Sequence, residues 1–143
     1  MVTFETFVQR FRELPEHLNK IGSDLLMKHN NEIVPLANTQ LMKGVNIHDE
    51  TMQKGYSTQY GKRRKKAGLQ TSFVDLKFTG KYQDSKKLVK YDYGVDIRSS
   101  ADYEAHLRAN FPDHVGLTEP NAEVIANKME NDVAKEIETF LTK

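Results

Sequence analysis

A catalytic or metal centre needs ligating and acid–base side chains at particular spacings, and the chain's 143 residues supply five histidines (His17, His29, His48, His106 and His114) and no cysteine. A helical zinc pair places two histidines at i and i+4, so that both imidazoles leave one face, and no two of the five stand that way. His106 and His114 are eight apart with Pro112 between them, which takes them off a common face. His48-Asp49-Glu50 is a compact polar triplet in a stretch without apolar periodicity and reads as solvated loop, with metal or acid–base use as the competing reading. The absence of thiols excludes disulfide scaffolds, thiolate zinc sites and cysteine nucleophiles. Ser23 and Ser99-Ser100 lack the glycine-flanked sharp turn that exposes a nucleophilic serine. Gly55 and Gly61 are not followed by the Lys-Ser/Thr ending of a phosphate-binding loop. No catalytic residues, cofactor or metal are expected, and the function is expected to be non-enzymatic.

One segment does carry a concentrated chemical signal. Tyr56 and Tyr60 precede five consecutive cations, Lys62, Arg63, Arg64, Lys65 and Lys66. Two rings beside five positive charges suit stacking on bases and neutralising phosphates, as in a nucleic-acid-binding module. The same residues suit docking on an acidic partner surface, with ordering on contact. A third reading is a solvated, self-repelling charge run.

The elements that must position these residues follow from periodicity. Phe4, Phe7, Val8, Phe11 and Leu14 recur at helical spacing behind Thr3 and read as a packed stripe, punctuated by Pro15. A longer helical pattern follows through Leu18, Ile21, Leu25, Ile33, Leu36, Ala37 and Leu41, with a kink expected at Pro35 and an end near Gly44. Helices are thus predicted over about residues 2–43. From about 45 to 72 no apolar face exists, which predicts an exposed basic loop with at most one helical turn. Such long uncovered loops in compact domains are usually functional or disordered. A small antiparallel sheet is predicted over about 73–98: a first strand from Phe73 to Thr79, then Val89, Tyr91, Tyr93, Val95 and Ile97 alternating with polar residues. Gly94 within that run suggests a bulge or close backbone approach. A short helix over about 101–110 is capped by Ser99 or Ser100 and closed by Pro112. The last helix, about 119–142, is announced by Thr118-Glu119-Pro120 and carries Val124, Ile125, Met129, Val133, Ile137, Phe140 and Leu141 as its buried stripe. The expected fold is a single α+β domain: N-terminal helices, a small antiparallel sheet, and a C-terminal helix packed on the sheet.

Two segments together resemble a known family. The first runs Tyr60-Gly-Lys-Arg-Arg-Lys-Lys-Ala-Gly-Leu69 and continues in a strand-turn with Asp75, Leu76, Thr79, Gly80, Tyr82 and Ser85 at the positions of a D-L-x-x-T-G-x-φ-x-x-S pattern, φ being apolar or aromatic. The second is Gly116-Leu117-Thr118 leading into an amphipathic final helix. This order is similar to that of the small tail-completion and neck proteins of tailed bacteriophages, including the virion morphogenesis family. The resemblance covers roughly residues 56–143. Where the family often has an aromatic-Gly-Thr segment before the second motif, this chain has Ala109-Asn-Phe-Pro-Asp-His114. The resemblance implies a structural virion protein, a homo-oligomeric ring at the head–tail junction. It further implies portal, neck or tail neighbours, possible contact with packaged DNA, and the motif turn Asp75, Thr79 and Gly80 as a family feature.

Bulk properties fit that expectation without selecting it. Twenty-one Lys and Arg against 20 Asp and Glu leave a formal charge of +1, so no global field points to nucleic acid or membrane. No apolar run approaches the ~20 residues of a membrane span. The opening Met-Val-Thr-Phe-Glu does not read as a secretory signal. Location in a virion assembled in a host cytoplasm is the corresponding expectation.

Overall fold

The computed structural model describes residues 1–52, 55–92 and 94–143. Helix α1 (Phe4–Met27) is capped by Thr3, whose side chain accepts from the Thr6 N–H, and it runs through Pro15. The expected break at Pro15 is therefore not there. The chain turns at residues 28–29 instead, and α2 (Asn30–Met42) follows. Next come α3 (Thr58–Lys66), the short α4 (Lys81–Asp84), strands β1 (Lys87–Tyr91) and β2 (Gly94–Arg98), and α5 (Glu104–Asn110). A 3-10 turn (Pro112–His114) leads to α6 (Glu119–Thr142). Thr118 caps α6 by accepting from the Asn121 N–H, with Pro120 in the first turn, as the sequence motif predicts. The class is α+β, with N-terminal helices, a C-terminal helix and a small antiparallel sheet.

The sheet differs from expectation in two respects. Residues 73–79 form no strand; Leu76 adopts a left-handed φ of 55° there. The alternating run at 89–97 is a hairpin, in which Leu88 pairs with Ile97, Lys90 with Val95 and Tyr91 with Gly94. Antiparallel partners share a face, so a two-residue connection switches the inward parity from even positions in β1 to odd positions in β2. Leu88 and Ile97 are buried, whereas Tyr91, expected inside, is 52% exposed. Tyr93, also expected inside, lies outside the described residues. Gly94 opens β2, and its N–H donates to Ser23 Oγ at 2.7 Å. Ser23, buried on α1, also donates to the Tyr91 carbonyl and so pins the turn end of the hairpin.

Among the described residues two apolar clusters form the core. Ile33, Val34 and Ala37 of α2 meet Leu88, Ile97 and Ile125 in the first. Leu41, one turn further along α2, joins Met52, Val74, Leu76, Tyr82 and Ala101 in the second. Helix α2 is thus the wall between them. Gln40, also buried on α2, accepts from the Thr118 N–H at 2.8 Å and from Asn121 Nδ2 at 3.2 Å, which fixes where α6 starts.

Helix α6 departs from the expected buried stripe. Ile125 is buried, Met129, Val133, Ile137, Phe140 and Leu141 are half-buried, and Val124 is exposed. The half-buried positions lie along α1, which runs antiparallel to α6: Met27 and Met129 share the first cluster, and the His17 and Phe140 rings stack at 4.1 Å. That register puts residue 14 of α1 near the last residues of α6. Beyond it, Phe4, Phe7 and Phe11 have no α6 surface to lie on and are 79%, 40% and 60% exposed. Packing was the expectation for this stripe. At ~1.5 Å of rise per residue, some 15 Å of α1 projects past its partner.

Candidate functional site

The basic segment is a helix, not an exposed loop. Ser57 Oγ accepts from the Tyr60 N–H at 3.2 Å to start α3. Gly68, with φ of 76°, ends it: the Gly68 N–H bonds the Lys65 carbonyl and the Leu69 N–H reaches back to the Arg64 carbonyl. This paired closure is the Schellman arrangement. Lys and Arg are good helix formers, and cations near a helix C-terminus complement its negative end. Residues 53 and 54, within the expected loop, lie outside the described residues.

Within the run the five cations divide. Lys62, Arg63, Lys65 and Lys66 are exposed, while Arg64 is turned inward with 0% exposure. Its guanidinium donates to the Gln70 carbonyl at 3.0 Å, the Lys77 carbonyl at 2.5 Å and Asp75 Oδ1 at 3.0 Å. It also lies over the Tyr56 ring, 4.3 Å from the centroid. Asp75 completes the lock by accepting from Tyr56 OH, Gln70 Nε2 and the Lys77 N–H, each at 2.9 Å. Burial works against the Asp75 carboxylate, yet the bonds from Gln70, Lys77 and Tyr56 and the Arg64 charge outweigh it and hold its pKa below the ordinary value. Burial pushes the Tyr56 phenol up to about 12, so it stays a donor. Buried charges are retained where they are paired and hydrogen-bonded, and this pair meets both conditions.

The rest of the motif turn is also internal framework. Thr79 Oγ1 accepts from the Lys81 N–H at 3.3 Å, and Gly80, with φ of 92°, starts α4. Tyr82 is buried and bonded to His114, whose other ring nitrogen meets the Phe111 carbonyl at 2.5 Å. Burial depresses the His114 pKa to about 4 and raises that of Tyr82 to about 12. The neutral imidazole therefore donates from Nδ1 to Phe111 and accepts the Tyr82 hydroxyl at Nε2. Ser85 Oγ and Ser99 Oγ are 2.7 Å apart, tying α4 to the end of the hairpin.

Beside the lock, a cleft of about 520 Å³ opens between α3, residues 76–79 and α5. Tyr56, Tyr60, Phe78, Tyr103, Leu107 and Phe111 line it. The Arg63 guanidinium sits at its edge, 4.8 Å over the Phe78 ring. Tyr60 and Arg63 thus reach the cleft, Arg64 and Asp75 brace it from within, and Lys62, Lys65 and Lys66 stand outside. Sequence reasoning missed Phe78, Tyr103, Leu107 and Phe111, which lie up to about fifty residues from Tyr60 and share no spacing with it. Gln70 was missed as well, and its neighbours gave no signal.

The His48-Asp49-Glu50 triplet is the tip of a tight loop in which Asn46 Oδ1 accepts from the His48 and Glu50 N–H groups. Among the described residues no three His, Asp or Glu side chains are gathered to hold a metal. No helix is long and apolar enough to cross a membrane among those residues. No family model, curated protein or solved structure matches the chain.

Proposed function

We propose that the chain is a structural subunit of a tailed-phage virion, forming a ring at the head–tail junction and joining head to tail. The observation that carries this reading is the projecting end of α1, where Phe4, Phe7 and Phe11 stand 79%, 40% and 60% exposed on one helical face. Contiguous apolar surface of this kind marks an interaction site. The sequence resemblance names the kind of assembly. Its motif residues Arg64 and Asp75 are partners in the lock, which supports treating the two halves of the first motif as one unit. Four of the displaced titratable groups, Tyr56, Asp75, Tyr82 and His114, serve internal hydrogen bonds, which favours a structural role for them over a catalytic one.

The test is to locate the chain in purified particles by mass spectrometry and image reconstruction. A closed ring between head and tail is the expected result, and absence from particles would remove the reading.

A second reading is favoured by one observation: four exposed cations, Lys62, Arg63, Lys65 and Lys66, on a single helix beside an aromatic cleft. As a nucleic-acid-binding module the chain would bind free DNA with a log–log salt slope of roughly −3 to −4. Flat, weak binding across salt concentrations argues against it.

A further inference from the structure

We propose that the aromatic cleft takes an unstacked base of single-stranded DNA, while Arg63, Lys66 and Lys62 hold the phosphates that lead to it. The proposal rests on the second reading, that α3 binds nucleic acid, and adds the strand class and the contact that selects it.

Charge sets the sign of the partner. Lys62, Arg63, Lys65 and Lys66 are exposed, and α3 carries no acid. Lys90 and Arg108 pair with Asp24 and Asp96, whereas none of these four has an ion pair with an acid among the described residues. The residues that line the cleft include Arg63 and His106 and no carboxylate. The counter-charge of this face therefore comes from outside the chain, and phosphates that supply it release the ions held there.

Helical phase gives the cations a direction. Arg63 and Lys66 are three residues apart and Lys62 and Lys66 four, so they stand as neighbours on one face, with Cβ atoms ~5–6 Å apart. Lys65 lies off this row. Arg63 is the member at the cleft, its guanidinium 4.8 Å over the Phe78 ring. The row begins at the cleft edge and leads away from it.

The walls decide what the strand inserts. Tyr60 and Phe78 are half-buried neighbours with ring centroids 6.2 Å apart, and Tyr103, at the start of α5, is 39% exposed. Ring surface on both sides of the cleft is thus left in water. Bases of any sequence stack on such rings. A base inside a duplex is already stacked on both faces and must first be extruded. At about 520 Å³ the cleft falls in the ~300–1,000 Å³ range of small-ligand sites, far too narrow for a double helix. A purely apolar ligand would leave the cationic row unused, and a purely anionic one would leave the rings in water. A single strand satisfies both. The site is also preformed, because Arg64 bonds Asp75 and the Lys77 carbonyl and so fixes α3 against the segment that carries Phe78.

The test compares three labelled probes by fluorescence anisotropy over a salt series: an oligothymidylate, a duplex of the same length, and an abasic oligomer with the same phosphates. The oligothymidylate should bind roughly tenfold or more tighter than the abasic oligomer, the worth of one base–aromatic stack. Its log–log salt slope should be about −2, for three phosphates on a single strand. Tyr103→Ala removes no charge and should abolish the tenfold margin while leaving duplex binding unchanged, with a thermal melt to show that the variant is folded. In the parent chain, iodouracil placed in the strand should crosslink to Tyr60, Phe78 or Tyr103, a result that does not depend on any variant. Equal, salt-steep binding of all three probes, or crosslinks confined to other surfaces, would overturn the cleft site and leave α3 as a nucleic-acid surface. No binding of any probe would remove both. Self-association of the chain alone that Tyr103→Glu abolishes would give the cleft to a second copy and overturn the proposal.

Discussion

Asp75 accepts from Arg64, Tyr56, Gln70 and the Lys77 N–H while almost wholly buried, and this determines what its loss, or that of its partner, does. Removing Arg64 leaves a carboxylate buried without its counter-charge, so Arg64→Ala should cost about 3–5 kcal/mol in urea unfolding. Arg64→Lys should recover little, since an ammonium cannot reproduce a guanidinium fork reaching three acceptors. Arg63→Ala, one residue away but exposed, should cost less than ~1 kcal/mol. Equal losses at 63 and 64 would sink the lock. His114 acts through pH. Its folded pKa, about 4, lies below the usual 6.5, so the unfolded chain binds the proton more readily between those values. Its contribution is fully present above pH 6.5 and is lost as pH falls towards 4, by up to about 3 kcal/mol. Subtracting the unfolding curves of a His114→Gln variant should remove that slope; an unchanged pH profile would place the titration elsewhere.

At the scale of elements, two glycines should respond to the same substitution with opposite sign. Gly61 lies inside α3 with no atom near its missing Cβ, so Gly61→Ala should stabilise by about 0.5–1 kcal/mol. Gly80 has φ of 92° and a Cβ there would lie 3.2 Å from Asp84 Oδ2, so Gly80→Ala should destabilise by about 1–2 kcal/mol. Chemical denaturation of both variants checks the pair, and a destabilised Gly61→Ala would contradict the helical assignment of the basic run. The hairpin makes a related point about elements. Its inward residues change parity across the turn, so a period-two pattern alone did not distinguish one strand from two.

For the whole molecule, the projecting α1 and the basic α3 are separable surfaces. The Phe4→Ser/Phe7→Ser/Phe11→Ser variant should melt within about 0.5 kcal/mol of the parent, because substitutions at exposed positions cost little. A large loss of stability would mean the stripe is packed in the isolated chain. Neutralising Lys62, Arg63, Lys65 and Lys66 to Gln should likewise spare stability and abolish any salt-steep DNA binding. Retained salt dependence after that change would move the electrostatic surface away from α3.

Local signals determined a good part of this protein. Thr3 and Thr118 announced their helices because a cap is a contact between residues three apart, and the α+β class followed from helical periodicity at both ends. Gly68 and Ser57 also delimit α3 locally, but a helix without an apolar face gives hydrophobic periodicity nothing to register. The tertiary structure decided the rest. Nothing in Lys-Arg-Arg-Lys-Lys distinguishes Arg64 from its neighbours; its inward turn depends on Asp75, eleven residues on, and on helical phase. The exposure of Phe4, Phe7 and Phe11 depends on the register between α1 and α6, since a stripe is buried only where a partner surface runs alongside it. The aromatic cleft exists because α5 is folded against residues 76–79, a juxtaposition that no spacing along the chain encodes.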